Sequence, residues 1–250
     1  MVIFYGMNTE SSYPVKNALN GITCVIFDID GTLARTNELI FESFNHVSEK
    51  YTGKRMTPQE IVALFGPPEE GGLAKMVGAG DVERAMNDLC DFYQSHHSGL
   101  AALHPGISEL LEFLKSHGVK LAVFTGKGKR TTDITLRELN IDRYFDLIVS
   151  GSDVTNHKPH HEGITKVMEY FSLIPEDVLM VGDALGDVRA SQAAGVKVAA
   201  VVWDSYDRER VLAADADFVF HSVSEMFDWF KNRINERNSP RDRGTSVIYG

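Results

Sequence analysis

The chain has 250 residues, enough to bury the core of one large domain or of a domain carrying a smaller insert. Its formal charge of -10, and a longest basic run of only Lys127-Gly128-Lys129-Arg130, argue against nucleic acid as a main partner and point to a small molecule instead. No apolar stretch approaches the length that spans a bilayer, so no membrane partner is expected.

The first twenty residues and the tail from Asn235 are loosely composed and are expected to be peripheral, with a mobile C-terminal end. The opening segment lacks a basic region followed by a long apolar one, which predicts a cytoplasmic protein. The first strand is predicted at Cys24, Val25, Ile26 and Phe27, an apolar run of the kind that a parallel sheet buries on both faces. It ends in two acids one residue apart. With a side-chain period of two, Asp28 and Asp30 share a side if the extended backbone persists, and Gly31 allows a sharp exit. Like charges facing one way repel, so a cation or a shared chemical task is needed to hold both. An EF-hand loop starting at Asp28 does not account for them, because Leu33 and Leu39 stand where its Gly and Glu belong.

From about Leu39 to His97 the pattern is helical, with Ile40, Phe44, Val47 and Tyr51 on one stripe and Met86, Leu89, Cys90 and Tyr93 on another. This is a predicted helical insertion. It leaves the sheet at the carboxyl end of the first strand, where open α/β sheets bind ligands and where a helical module can serve as a lid. Beyond it, apolar strand runs at 120–124, 146–150, 177–182, 197–203 and 216–220 alternate with amphipathic helices, one carrying Ile107, Leu110, Leu111 and Leu114 and another Val223, Met226, Phe227, Phe230 and Ile234. Such alternation predicts a parallel, doubly wound, Rossmann-like α/β sheet. Core segments 1–34 and 103–250 are expected to flank a helical domain at 35–102. Cys24 and Cys90 fall on a strand and a helix and read as buried thiols.

Three later strand ends carry polar groups. Phe124 is followed by Thr125 and Gly126, a hydroxyl and an exposed backbone N–H suited to an anion; Lys158-Pro159 precedes a helix starting near His160; and Asp183 and Asp187 follow the run Val178–Gly182. In this order, Asp28–Leu33 (DIDGTL), Thr125-Gly126, Lys158-Pro159 and Gly182–Asp187 (GDALGD) resemble the four motifs of the haloacid dehalogenase (HAD) superfamily, in its phosphatase branch with a helical cap, over roughly residues 22–235. The resemblance implies Mg2+-dependent hydrolysis of a small phosphorylated metabolite, similar to phosphoglycolate phosphatase, by a monomer or homodimer. It further implies that Asp28 is the nucleophile and forms an aspartyl phosphate, while Asp30 protonates the leaving oxygen and later activates water. Asp183, Asp187, Asp28 and the backbone carbonyl of Asp30 would bind Mg2+, and Thr125, Gly126 and Lys158 the phosphoryl oxygens.

Asp30 argues against the family's dehalogenases and phosphonate hydrolases, which resemble this pattern without the second acid. A sugar phosphomutase similar to beta-phosphoglucomutase keeps both acids, and a pyrophosphate or nucleotide phosphatase is a further alternative. A scaffold used only for binding would be expected to have lost Asp28 or the metal acids. Residues 64–72 (LFGPPEEGG) look like the cap loop of phosphoglycolate phosphatase-like enzymes, with Gly66 allowing close approach. The chain departs from the family's pattern after DGTL, where Arg35 could grip a second anionic group or be a surface arginine of the hinge. Gly126-Lys127-Gly128 is only half a dinucleotide fingerprint, since Thr131 replaces the third glycine, and Arg130 breaks a P-loop. His157, His160 and His161 read as solvent-facing residues before a helix.

Overall fold

The computed structural model describes residues 21–235, so the expectations for both chain ends lie outside the described residues. The first apolar run is β1 (Cys24–Phe27), and a tight turn then leads into the two-residue β2 (Ala34–Arg35). Four helices follow, α1 (Asn37–Thr52), α2 (Pro58–Val62), α3 (Glu69–Val77) and α4 (Val82–Leu100), before β3 (Ala102–Leu103) pairs antiparallel with β2. The chain continues through α5 (Ile107–Ser116), β4 (Lys120–Phe124), α6 (Lys129–Glu138), β5 (Leu147–Val149), α7 (Glu162–Phe171), β6 (Val178–Gly182), α8 (Leu185–Ala194), β7 (Lys197–Val201), α9 (Arg208–Leu212), β8 (Phe218–Phe220) and α10 (Val223–Asn235).

Six strands form one sheet in the order β5-β4-β1-β6-β7-β8, with every neighbouring pair parallel. The period of two explains why both faces are dry. Val25 and Phe27 of β1 join Leu121, Val123, Leu179 and Val181 in one core with α5 and α10, while Cys24 and Ile26 join Ala122, Phe124, Val178 and Met180 in a second core with α7. The predicted stripes lie where expected: Ile107, Leu110, Leu111 and Leu114 are all buried, as are Val223, Met226, Phe230 and Ile234. Both cysteines are free and buried. Among the described residues no helix is long and apolar enough to cross a membrane.

The four helices between β2 and β3 pack on one another around a third core that includes Leu39, Phe44, Ile61, Leu73, Met86 and Tyr93. The stripes of α1 and α4 face each other there. The short α2 is held at its start by Thr57, whose hydroxyl accepts from the Glu60 N–H while its own N–H donates to the Glu60 carboxylate at 2.7 Å. The β2–β3 ribbon pairs Ala34 with Leu103 and Arg35 with Ala102, so the helical segment enters and leaves through one short stem.

Candidate active site

Topology decides where chemistry can gather. From β1 the chain builds outward through β4 to β5 on one side and through β6, β7 and β8 on the other, so the crevice beyond the carboxyl ends of β4, β1 and β6 is the switch point of the sheet. Asp28 directly follows β1, Thr125 follows β4 and Asp183 follows β6. Backbone bonds continue the strand ladders to these residues, with the Asp28 N–H donating to the Val181 carbonyl at 2.9 Å and the Thr125 N–H to the Val149 carbonyl at 3.1 Å.

Asp28, Asp183 and Asp187 each present a carboxylate oxygen, and these oxygens lie within 4.8 Å of one another. All three residues are buried. Burial pushes the Asp28 carboxyl up to about 6; Lys158 opposes the shift, and Asp187 and Asp30 add to it. Burial, followed by Asp28 and Asp187, likewise holds Asp183 well above the ordinary carboxylate range, although the Thr32 hydroxyl donates to it at 3.0 Å. Lys158 is the local counter-charge, its ammonium 2.6 Å from Asp187 Oδ1 and 3.1 Å from Asp28 Oδ1. Burial alone would lower the Lys158 ammonium, but the two acids outweigh it and hold it above its usual value.

These ionic contacts are close without having the angles of hydrogen bonds, and both oxygens are otherwise buried without a hydrogen-bond partner. One ammonium against three acids leaves an excess of buried negative charge. A hard divalent cation with oxygen ligands fits that donor set, and among the described residues no other group of three metal-ligating side chains converges in this way. The backbone is shaped around the acids. Gly31 has φ +78° and its missing Cβ would lie 2.3 Å from Asp183 Oδ2, while a Cβ on Gly182 would lie 2.3 Å from the Asp187 carboxyl carbon.

Asp30 has a separate environment. Its carboxylate accepts from the Thr36 hydroxyl at 2.5 Å and lies 3.3 Å from the Lys127 ammonium, so the two opening acids do not share one cation through their side chains. β1 itself ends at Phe27, and Asp28 and Asp30 both line one cavity although they meet different partners. Lys127 went unrecognised as a site residue because in sequence it belongs to a basic run at a helix start. In the fold its ammonium is buried over the Tyr93 ring, 4.8 Å from the centroid, and 4.0 Å from Glu69. Burial alone would lower it, but Asp30, Tyr93 and Glu69 outweigh that effect and raise it above the usual lysine range. Lys127→Met is expected to cost on the order of 3 kcal/mol, because it strands two carboxylates that share this ammonium. Urea unfolding reads the loss; a change below about 1 kcal/mol would mean that solvent, not Lys127, carries the charge of Asp30.

A cavity of about 320 Å³ opens over this group, and Asp28, Asp30, Thr125, Gly126, Lys158, Asp183 and Asp187 all line it. A Cβ at Gly126 would meet nothing within 4 Å, leaving open space in front of that backbone. Gly66 of the loop between α2 and α3 lines the opposite wall. Arg35 does not line it: in a two-residue strand consecutive side chains take opposite sides, so Ala34 is buried and Arg35 is turned to solvent. Arg35, expected at the substrate or on the surface of the hinge, thus stands on the exposed side of the stem. Glu69, also missed in the sequence, accepts from the Gly128 N–H at 2.6 Å and from the Thr131 hydroxyl, fastening α3 to the start of α6. The helix after Lys158 begins at Glu162, slightly later than predicted, because His157 to His160 form a turn, with the His160 N–H donating to the His157 carbonyl at 2.9 Å.

Several of the known proteins that this chain resembles carry phosphate chemistry in their names. The profile of the family described as haloacid dehalogenase-like hydrolase matches residues 25–201. A Bacillus mycoides protein named Pyrophosphatase PpaX is 33% identical over 214 residues, which is 86% of this chain and 99% of that protein. The crystal structure of a predicted phosphoglycolate phosphatase from Haemophilus somnus superposes with a TM-score of 0.73 at 21% identity, covering 83% of this chain and 97% of that one. A beta-phosphoglucomutase from Clostridium difficile superposes at 0.69 with 21% identity, covering 87% and 99%.

Proposed function

Because the chain belongs to the haloacid dehalogenase-like hydrolase family, in its phosphatase branch, we propose that it hydrolyses a small phosphate monoester, in the manner of phosphoglycolate phosphatases, through an aspartyl phosphate on Asp28. The observation that carries this reading is the convergence of Asp28, Asp183 and Asp187 with Lys158 at the sheet's switch point. Within the described residues, 35–102 are assigned as a cap domain over a core of 21–34 and 103–235.

An Asp28 carboxylate oxygen attacks phosphorus as the bond to the leaving oxygen breaks, and Asp30 passes its proton to that oxygen. Water then attacks the phosphoaspartate at phosphorus and gives a proton to Asp30, freeing phosphate and regenerating the Asp28 carboxylate. Thr125, the N–H of Gly126 and Lys158 hold the phosphoryl oxygens through both steps, where donors placed in advance stabilise most. Asp183, Asp187, Asp28 and the backbone carbonyl of Asp30 are the groups that would hold Mg2+, which would neutralise charge on the phosphoryl group and among the acids. Thr36 and Lys127 hold the Asp30 carboxylate apart from those ligands, ready to take the proton from water, and the proton so gained is the one it gives to the next leaving oxygen. Hydrolysis of pyrophosphate is the second reading, favoured by the likeness to Pyrophosphatase PpaX.

A screen of small phosphate esters and pyrophosphate, with Mg2+ and with chelator, tests the proposal. Free phosphate should appear only with the metal, and Mg2+ should also raise the melting temperature by relieving the buried acids. Undiminished turnover in metal-free buffer would remove the metal role of Asp183 and Asp187. Phosphate passed to a sugar hydroxyl without release would mark a mutase.

A further inference from the structure

The outer half of the cavity differs in chemistry from its floor. Ile40 and Phe44 of α1, Val62, Leu64, Phe65 and the core's Tyr206 all line it. Phe65 is 42% exposed, Val62 38% and Tyr206 55%, although large apolar side chains gain by leaving water. The Tyr206 ring is set in place edge-on to Phe41 of α1, with centroids 5.7 Å apart. Two neutral polar groups, the Asn37 amide and the Tyr206 hydroxyl, complete this wall, and neither has a hydrogen-bond partner among the described residues.

Charge in the lining is lopsided. Six carboxylates, those of Asp28, Asp30, Glu69, Asp183, Asp187 and Asp207, face two ammonium groups, Lys127 and Lys158. Both are committed: Lys127 to Asp30 and Glu69, Lys158 to Asp28 and Asp187. No arginine lines the cavity, and Arg35, the cation nearest to the motif in sequence, points to solvent. A second anionic group on the substrate would have to leave water for an apolar wall without a free cation to meet it, which is costly.

We infer that the physiological substrate is the phosphate monoester of an uncharged alcohol with an apolar face, packed against the lining side chains of Phe44, Leu64, Phe65 and Tyr206. This rests on the phosphatase reading above and narrows its substrate class. Asn37 and the Tyr206 hydroxyl can meet a neutral hydroxyl or carbonyl on the same alcohol. The cavity volume lies at the lower end of the range for small-molecule sites, which suits a phosphoryl group with one ring or a short branched chain. The preference separates the chain from enzymes that act on phosphoglycolate or pyrophosphate, each of which carries a second anion.

The test is a matched pair of esters, para-ethylphenyl phosphate and para-carboxymethylphenyl phosphate, whose leaving phenols have similar acidity, so that the comparison reports on the wall. With Mg2+ present, kcat/KM should favour the neutral ester by roughly tenfold or more. Phe65→Lys and Val62→Lys, both at exposed positions, should shrink or invert that ratio by supplying the missing cation, whereas Phe65→Leu should preserve it. Phosphoglycolate or pyrophosphate turned over faster than the neutral ester would overturn the inference and leave the phosphatase reading intact. If no ester is hydrolysed, that reading fails instead. Calorimetric binding of para-ethylbenzylphosphonate against its para-carboxymethyl counterpart then decides the preference without turnover, equal or reversed affinity counting against it.

Discussion

Asp28→Asn is expected to stop phosphate release from every ester, with a fall in kcat on the order of 10^4-fold or more, because an amide cannot form the phosphoenzyme. The loss should be chemical rather than structural. Asp28 is one of three buried acids that repel one another, and replacing it with a neutral isostere relieves repulsion while leaving Lys158 paired with Asp187. The metal-free variant should therefore melt no lower than the unmodified protein, although its affinity for Mg2+ should drop with the loss of one oxygen ligand's charge. Steady-state phosphate release and thermal melts, measured on one preparation, separate the two effects. Residual turnover above about one per cent with any ester would remove Asp28 from the nucleophile's role.

The second large effect concerns Asp30, and here the leaving group decides. Asp30→Asn should slow alkyl esters by roughly 10^2- to 10^4-fold, since an alkoxide needs a proton as it departs. Formation of the phosphoenzyme from p-nitrophenyl phosphate should suffer far less, because nitrophenolate leaves unprotonated. Water attack would still lack its base, so rapid mixing should record a burst of nitrophenolate followed by slow turnover. The structure sharpens this expectation. Asp30 is held by Thr36 and Lys127, outside the cluster of Asp28, Asp183 and Asp187, so an amide at this position alters proton transfer without removing a side-chain ligand from the metal group. Burst rates falling by one factor for aryl and alkyl esters would show that Asp30 is not the leaving-group acid.

Lys127 and Glu69 connect the inserted helices to the surroundings of Asp30. Lys127 lies against Asp30 from the core and against Tyr93 from α4, and Glu69 reaches from α3 to the first turn of α6. A side chain that stabilises Asp30 is thus buried by helices inserted far from it in sequence. The environment of Asp30 therefore depends on how those helices sit on the sheet.

The strands were legible in the sequence because a parallel sheet buried on both faces demands short apolar runs, and Val25, Phe27, Ala122 and Met180 meet that demand within their own segments. Asp28, Thr125 and Asp183 were legible for a related reason: each directly follows a strand, where a polar residue interrupts an apolar run, whereas Lys158 in a loop and Asp187 in the first turn of α8 were legible through the ordered motifs. The alternation of strands and helices then confined them to one edge of the sheet. What the sequence could not reveal was which charge meets which. Lys127 stood out only as part of a basic run, Arg35 could be a ligand beside the motif or a surface arginine, and Glu69 was one residue of a cap loop. Pairing depends on distances across the cleft, and those follow from how α3 and α4 dock on α6 and from which side a two-residue strand turns outward. Local pattern is set by neighbours along the chain, whereas Coulomb energy and burial are set by neighbours in space. For that reason the identity of the acids belongs to the sequence, and the separation of Asp28 from Asp30 belongs to the tertiary structure.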